Sequence, residues 1–274
     1  MRSLFSFVFL ELVLVTAAHA QAGTCPDGKP IDGVARAGSS QHCLVIRRYE
    51  VPAPKWPQVV LIYLHGDNGG TIDWPANSTA LALGSAVGAT TIGVQRPGYR
   101  SELGTSDGQT SIQDDDYTSG NVEILADALK SLRVSYPGKR LLLVGHSGGA
   151  AMAALVAGRF PSAADGYLLV GCPCDVDRWR EWRNSSAGKS GRWSKSLSPI
   201  REVAKIAPGT YLRVLVGDKD DNTLPKFSEA YVAALRESGN DTTVVYAAGS
   251  NHGTVRRSPE LHKLAIEMAE KLSR

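Results

Sequence analysis

A serine hydroxyl becomes a useful nucleophile only when a base takes its proton, and the base works best when a third group orients it. Gly145-His146-Ser147-Gly148-Gly149 offers such a serine. The aliphatic run Leu141-Leu142-Leu143-Val144 enters it and an Ala-rich stretch from Ala150 leaves it. That order reads as a buried strand, a sharp turn carrying the serine, and a helix able to sit close to a sheet. A second Gly-x-Ser-x-Gly, Gly104-Thr105-Ser106-Asp107-Gly108, has no apolar run before it and a polar stretch after it. Context therefore selects Ser147 and not Ser106.

The six histidines sort by position. His19 falls in an N-terminal segment that reads as removable, His42 in an early segment, and His262 within the last helix. His146 adjoins the serine and is expected to point away across the turn. His65 and His252 both follow strands and precede glycine. The chain order serine, acid, histidine favours His252 as the base. The acid comes from Asp218, Asp220 and Asp221, which crowd one strand end. The spacing Gly217-x-x-Asp220 favours Asp220; Asp221, four residues before Pro225, is the alternative. An oxyanion needs donors already in place. The Gly148 N–H, next to the nucleophile at a helix start, is one candidate. The turn after the Val59 strand, at Asp67, is expected to give the second.

These residues need a scaffold. Val59 to Leu64 is continuously apolar, which suggests a strand covered on both faces, as in a parallel sheet. Further strands are expected at His42–Val51 (early, antiparallel), Thr90–Val94, Leu141–Val144, Tyr167–Val170, Tyr211–Val216 and Thr243–Tyr246. Helices are expected from Ser78 to Val87, from about Asn121 with Val122, Leu125, Leu129 and Leu132 as its stripe, and from Ser147 to about Gly158. Two more follow, one opened by Pro225 and one capped by Ser258 with Pro259 in its first turn. Alternating strands and helices indicate an α/β protein with a parallel sheet, whose working residues lie at the carboxyl ends of strands.

With those motifs in order, the chain resembles the secreted serine hydrolases of the α/β-hydrolase superfamily over residues 55–274. The resemblance rests on Gly145-His146-Ser147-Gly148-Gly149, His65-Gly66-Asp67, Arg96-Pro97-Gly98-Tyr99, Gly217-Asp218-Lys219-Asp220 and Asn251-His252-Gly253. Ser198-Pro199-Ile200 is similar to the prolyl-oligopeptidase and dienelactone-hydrolase side of it. Asp67 stands where many lipases and esterases carry glycine. The resemblance implies an α/β-hydrolase fold with a small cap insertion, no cofactor, and ester hydrolysis through an acyl-enzyme on Ser147. A peptidase of the prolyl-oligopeptidase type is the alternative, and an inactive binding protein on the same fold a further one.

Composition narrows the setting. A net charge of +3 and a pI near 8.6 do not call for a nucleic-acid partner. Arg2, the apolar Leu4 to Val15 and Ala18-His19-Ala20 read as a secretory signal over residues 1–20, cleaved before Gln21. A secreted or periplasmic location and no stable membrane insertion are expected. Residues 21–44 read as a polar surface arm, within an N-terminal unit of 21–54. An exported chain could oxidise Cys25, Cys43, Cys172 and Cys174, with three possible pairings. A zinc half-site at Cys172-Pro173-Cys174 lacks a second Cys pair or a spaced His pair.

The segment 175–208 lies where such hydrolases insert a cap. It carries Trp179, Trp182 and Trp193, with Arg178, Arg180, Arg183, Lys189, Arg192 and Lys195 against Asp175, Asp177 and Glu181. It shows no regular period. The expected partner is a small ester or peptide substrate, neutral or acidic. Asp114-Asp115-Asp116 reads as a solvated charge run.

Overall fold

A computed structural model describes Cys25 and residues 34–74, 79–111, 116–187 and 195–274. The signal-like segment 1–20 lies outside them, as do Asp114, Asp115, Lys189, Arg192 and Trp193.

Among the described residues eight strands form one sheet: β1 (Val34–Gly38), β2 (Cys43–Tyr49), β3 (Val59–Leu64), β4 (Thr90–Val94), β7 (Arg140–His146), β8 (Gly166–Val170), β9 (Leu212–Gly217) and β10 (Val244–Ala247). A two-residue hairpin, β5 (Arg100–Ser101) and β6 (Gly104–Thr105), stands apart. The spatial order is β1-β2-β4-β3-β7-β8-β9-β10. β1 and β2 run antiparallel at one edge, and the other six are mutually parallel.

Among the described residues there are six α-helices: α1 (Thr79–Val87), α2 (Ser119–Ser135), α3 (Gly148–Arg159), α4 (Val176–Ala187), α5 (Pro225–Glu237) and α6 (Pro259–Leu272). The continuous apolarity of β3 has a plain cause. Val60, Ile62 and Leu64 join the core shared with α2, α3 and α5, while Val59, Leu61 and Tyr63 join the core shared with α1 and α6. A strand residue points to alternate faces, so a strand buried on both must be apolar throughout. Each such aliphatic side chain contributes about 1.5–3 kcal/mol by leaving water.

Several expectations shift. The stretch read as a surface arm contains β1, which pairs with β2 in register Gly38↔Cys43 to Val34↔Arg47. Its short sequence draws its order from a partner, not from a pattern of its own. α2 starts two residues before Asn121, because the Thr118 side chain accepts from the Asn121 N–H and caps the helix there. The aperiodic stretch after Asp175 holds the helix α4, whose buried Val176 and Trp179 are too few to print a stripe. Its continuation at Pro199–Lys205 is a 3₁₀ turn buried through Pro199 and Val203 against the α3 side of the core. The structure pairs Cys25 with Cys43 and Cys172 with Cys174. Among the described residues no helix is long and apolar enough to cross a membrane.

Candidate active site

The exits of the parallel strands converge on one edge of the sheet. β7 ends at His146, paired with Val170 of β8, and Val170 pairs in turn with Leu215 of β9. Ser147 follows in a conformation with φ 54° and ψ −122°, the one positive φ of a non-glycine among the described residues. A side chain held there costs about 1–3 kcal/mol, sustained only when the surroundings over-determine it. Here the Ser147 N–H donates to the Val170 carbonyl at 2.8 Å, and the Ser147 carbonyl accepts from Ala150 and Ala151 at the start of α3. The flanking glycines permit the turn: a Cβ on Gly145 would stand 2.3 Å from the Gly149 carbonyl oxygen, and one on Gly149 2.4 Å from that of Leu64.

His252, after β10, places Nε2 2.9 Å from Ser147 Oγ. Its Nδ1–H donates to Asp220 Oδ2, also at 2.9 Å. Asp220 Oδ1 accepts backbone N–H groups from Thr223 at 2.8 Å and Asn222 at 3.0 Å. Asp220 is buried, whereas Asp218 and Asp221 are exposed. Burial alone would raise the Asp220 carboxyl, but the hydrogen bonds from His252, Thr223 and Asn222 outweigh it and hold the group below its usual range. The acid therefore stays ionised where the imidazole needs it. The serine can lose its proton to Nε2 while Asp220 steadies the cation that forms.

The other histidines take structural places. His65 is buried, donating from Nδ1 to the Gly66 carbonyl and accepting the Arg96 N–H at Nε2. Burial, then the Arg96 charge, push its pKa down to about 3, so it stays neutral. His146 does not point away from the site. Its ring centroid is 4.9 Å from that of His252, and its Nε2–H donates to the His252 carbonyl at 2.9 Å. Burial, then His252, lower it to about 4.

The turn after β3 brings Asp67 against α3. A Cβ on Gly148 would lie 2.0 Å from Asp67 Oδ1, so the missing side chain leaves the space that the carboxylate fills. Asp67 is held by Arg96 Nη1 at 2.7 Å and by a hydrogen bond from the Tyr117 hydroxyl. Arg96, 1% exposed, also pairs with Asp116 at 3.3 Å. Asp116 is thus buried, not part of a solvated run. It was illegible as such because its partner sits twenty residues away in sequence. The Gly148 N–H opens α3 and has no intrahelical acceptor, and no backbone acceptor among the described residues takes the Asp67 N–H.

Ser106, the rival serine, is buried away from any base. Its hydroxyl donates to the Gln95 carbonyl at 2.8 Å and accepts the Val45 N–H at 2.9 Å. Two residues that sequence reasoning missed adjoin the acid. Thr223 touches both Asp220 and His252. Asn222 receives the Trp179 indole N–H at its carbonyl and Arg183 at its side chain, fastening α4 to the acid loop. Trp179 is thereby packed on the body of the protein, and Trp182 lies against Phe227. Neither had a motif to flag it.

Comparisons with known proteins bear on the family and the fold. The prolyl oligopeptidase family profile matches residues 121–269, more than half of the chain, spanning Ser147, Asp220 and His252. No curated protein matches the sequence. The Pyrococcus furiosus esterase Pf2001 superposes with a TM-score of 0.69 at 12% identity, covering 93% of this chain and 100% of that one. The proline iminopeptidase of Mycobacterium smegmatis gives 0.64 at 15% identity, over 88% and 98%. Pyrococcus horikoshii acylaminoacyl peptidase gives 0.62 at 13% identity over 87% of this chain and 41% of that one. At such identities the structures speak for the fold alone, and that fold is the α/β-hydrolase fold. The sequence match carries the rest: the chain belongs to the prolyl oligopeptidase family and is a serine hydrolase.

Proposed function

We propose that the chain is an exported, carboxylesterase-like hydrolase working through an acyl-enzyme on Ser147. The observation that carries this reading is the unbroken line of contacts from Ser147 Oγ to His252 to Asp220, each 2.9 Å long. Ser147 attacks the ester carbonyl as His252 takes its proton. His252 then returns that proton to the departing alkoxide, and water, activated in the same way, releases the acid. The N–H groups of Gly148 and Asp67 receive the oxyanion. One such donor is worth about 2.7–4 kcal/mol.

The surroundings of the nucleophile support ester cleavage over the removal of N-terminal residues from peptides. A peptidase acting on free N-termini needs a carboxylate to hold the substrate's ammonium group. Asp67 is engaged by Arg96 and Tyr117, and Asp175 by Arg178 at the start of α4. The family match supports the competing peptidase reading. We infer that α4 forms one wall of the substrate site as part of a cap.

A panel of short acyl esters, aryl and sugar esters and peptide amides, run on wild type and Ser147→Ala, separates the readings. Peptide turnover exceeding ester turnover would sink the esterase proposal. Failure of the folded protein to react with a fluorophosphonate would favour a binding protein instead. Export rests on the pattern in residues 1–20 and is tested by sequencing the mature N-terminus, expected to begin at Gln21.

A further inference from the structure

Thr223 is fully buried, three residues beyond the acid. Its hydroxyl oxygen stands 2.9 Å from Asp220 Oδ2, 3.1 Å from His252 Nδ1 and 3.0 Å from the carbonyl oxygen of Gly171. Gly171 follows β8 with φ +54°, and a Cβ there would lie 3.3 Å from both Asp220 Oδ2 and His252 Nδ1. The backbone at the end of β8 therefore lies against the acid–histidine pair, and the threonine hydroxyl fills the corner between them.

A hydroxyl carries one proton and two lone pairs. The Gly171 carbonyl and Asp220 Oδ2 can only accept, and Nδ1–H can only donate. The arrangement that serves all three shares the hydroxyl proton between Asp220 Oδ2 and the Gly171 carbonyl and presents a hydroxyl lone pair to Nδ1–H. The Nδ1 proton then has two acceptors, Asp220 Oδ2 and Thr223 Oγ1. From these contacts we propose that Thr223 is a positioning residue, fixing the plane and tautomer of His252 and tying the acid loop to β8. Holding the proton on Nδ1 leaves the Nε2 lone pair free for Ser147. When Nε2 takes the serine proton, the cation finds a second oxygen already in place, and hydrogen bonds to charged groups are the stronger kind.

The proposal rests on the Ser147–His252–Asp220 reading, and its test keeps the two apart. Steady-state hydrolysis of a short aryl ester is measured for wild type, Thr223→Val, Thr223→Ser and Ser147→Ala, well below each variant's melting temperature. Valine keeps the shape and removes the hydroxyl. Thr223→Val is expected to lower kcat about tenfold or more, the scale of one lost hydrogen bond to a charged group, with KM changed by less than about twofold. Thr223→Ser should restore kcat to within about threefold of wild type. A kcat in Thr223→Val equal to wild type, a loss confined to KM, or no rescue by serine would each overturn the proposal. Should the valine variant not fold, Thr223→Ala carries the same expectation. Activity surviving in Ser147→Ala would remove the triad reading and this proposal with it. Full dependence on Ser147 alongside an indifferent Thr223→Val would remove the proposal alone.

Discussion

The Nε2–H of His146 donates to the backbone carbonyl of His252 at 2.9 Å, although the two residues lie 106 positions apart in sequence. The residue before the candidate nucleophile thus supports the backbone of the candidate base. Moving the β7 turn moves both Ser147 and the loop that must meet it. The contact needs the proton on Nε2, and burial keeps the ring neutral although this hydrogen bond by itself favours the cation.

That neutrality makes stability depend on pH. Below about pH 6.5 the unfolded chain protonates histidines that the folded chain keeps neutral down to about 4 at His146 and about 3 at His65. Their folded values are depressed, so the unfolded state binds more protons in that window and stability falls as pH drops. The slope should reach about 1.4 kcal/mol per pH unit for each histidine between pH 6 and 4. Denaturant melts across that range should show it, and His146→Gln should flatten the slope by about half. An unchanged slope would mean the ring is not held neutral.

The two serines should part company. Ser147→Ala is expected to lower ester turnover by at least about a thousandfold. Ser106→Ala should keep near wild-type kcat but lose about 1–3 kcal/mol of stability, because the buried Val45 N–H loses its acceptor. Turnover and thermal melts on both variants check this, and equal loss of activity in both would overturn the assignment.

The acids offer a similar contrast. Asp220→Asn should reduce kcat by about 10⁴-fold, since an amide can turn its NH₂ toward Nδ1 and impose the wrong tautomer. The exposed Asp221, replaced by Asn, should leave kcat within about twofold, as surface substitutions generally do. Steady-state kinetics decide, and the reverse ranking would make Asp221 the acid.

Arg96 holds the loop that carries Asp67. Arg96→Met should cost about 3–5 kcal/mol, because the buried Asp116 and the partly buried Asp67 would be left as carboxylates without their cation. Chemical denaturation gives the number, and a loss below about 1 kcal/mol would show the pair to be dispensable.

Much of this was legible in the sequence because it is written locally. A strand buried on both faces must be apolar at every position, and a turn as tight as the one at Ser147 must be flanked by glycine. Those constraints fall on neighbouring residues, so β3, β7 and the nucleophile could be read directly, and the order of Asp220 and His252 pointed to their strand ends. Sequence alone left Asp220 and Asp221 side by side. Only the folded loop buries one and exposes the other, bringing Asp220 to His252 across 32 residues. The same holds for the Arg96–Asp116 pair, the contact of Thr223 with Gly171 and the support of His252 by His146. Each joins groups brought together by separate strand exits, and a hydrogen bond leaves no periodic mark on the chain. The linear sequence determined which chemistry was available, where the strands must end and which serine stands at the turn; the packing of those ends decided which acid meets His252 and which groups support the pair.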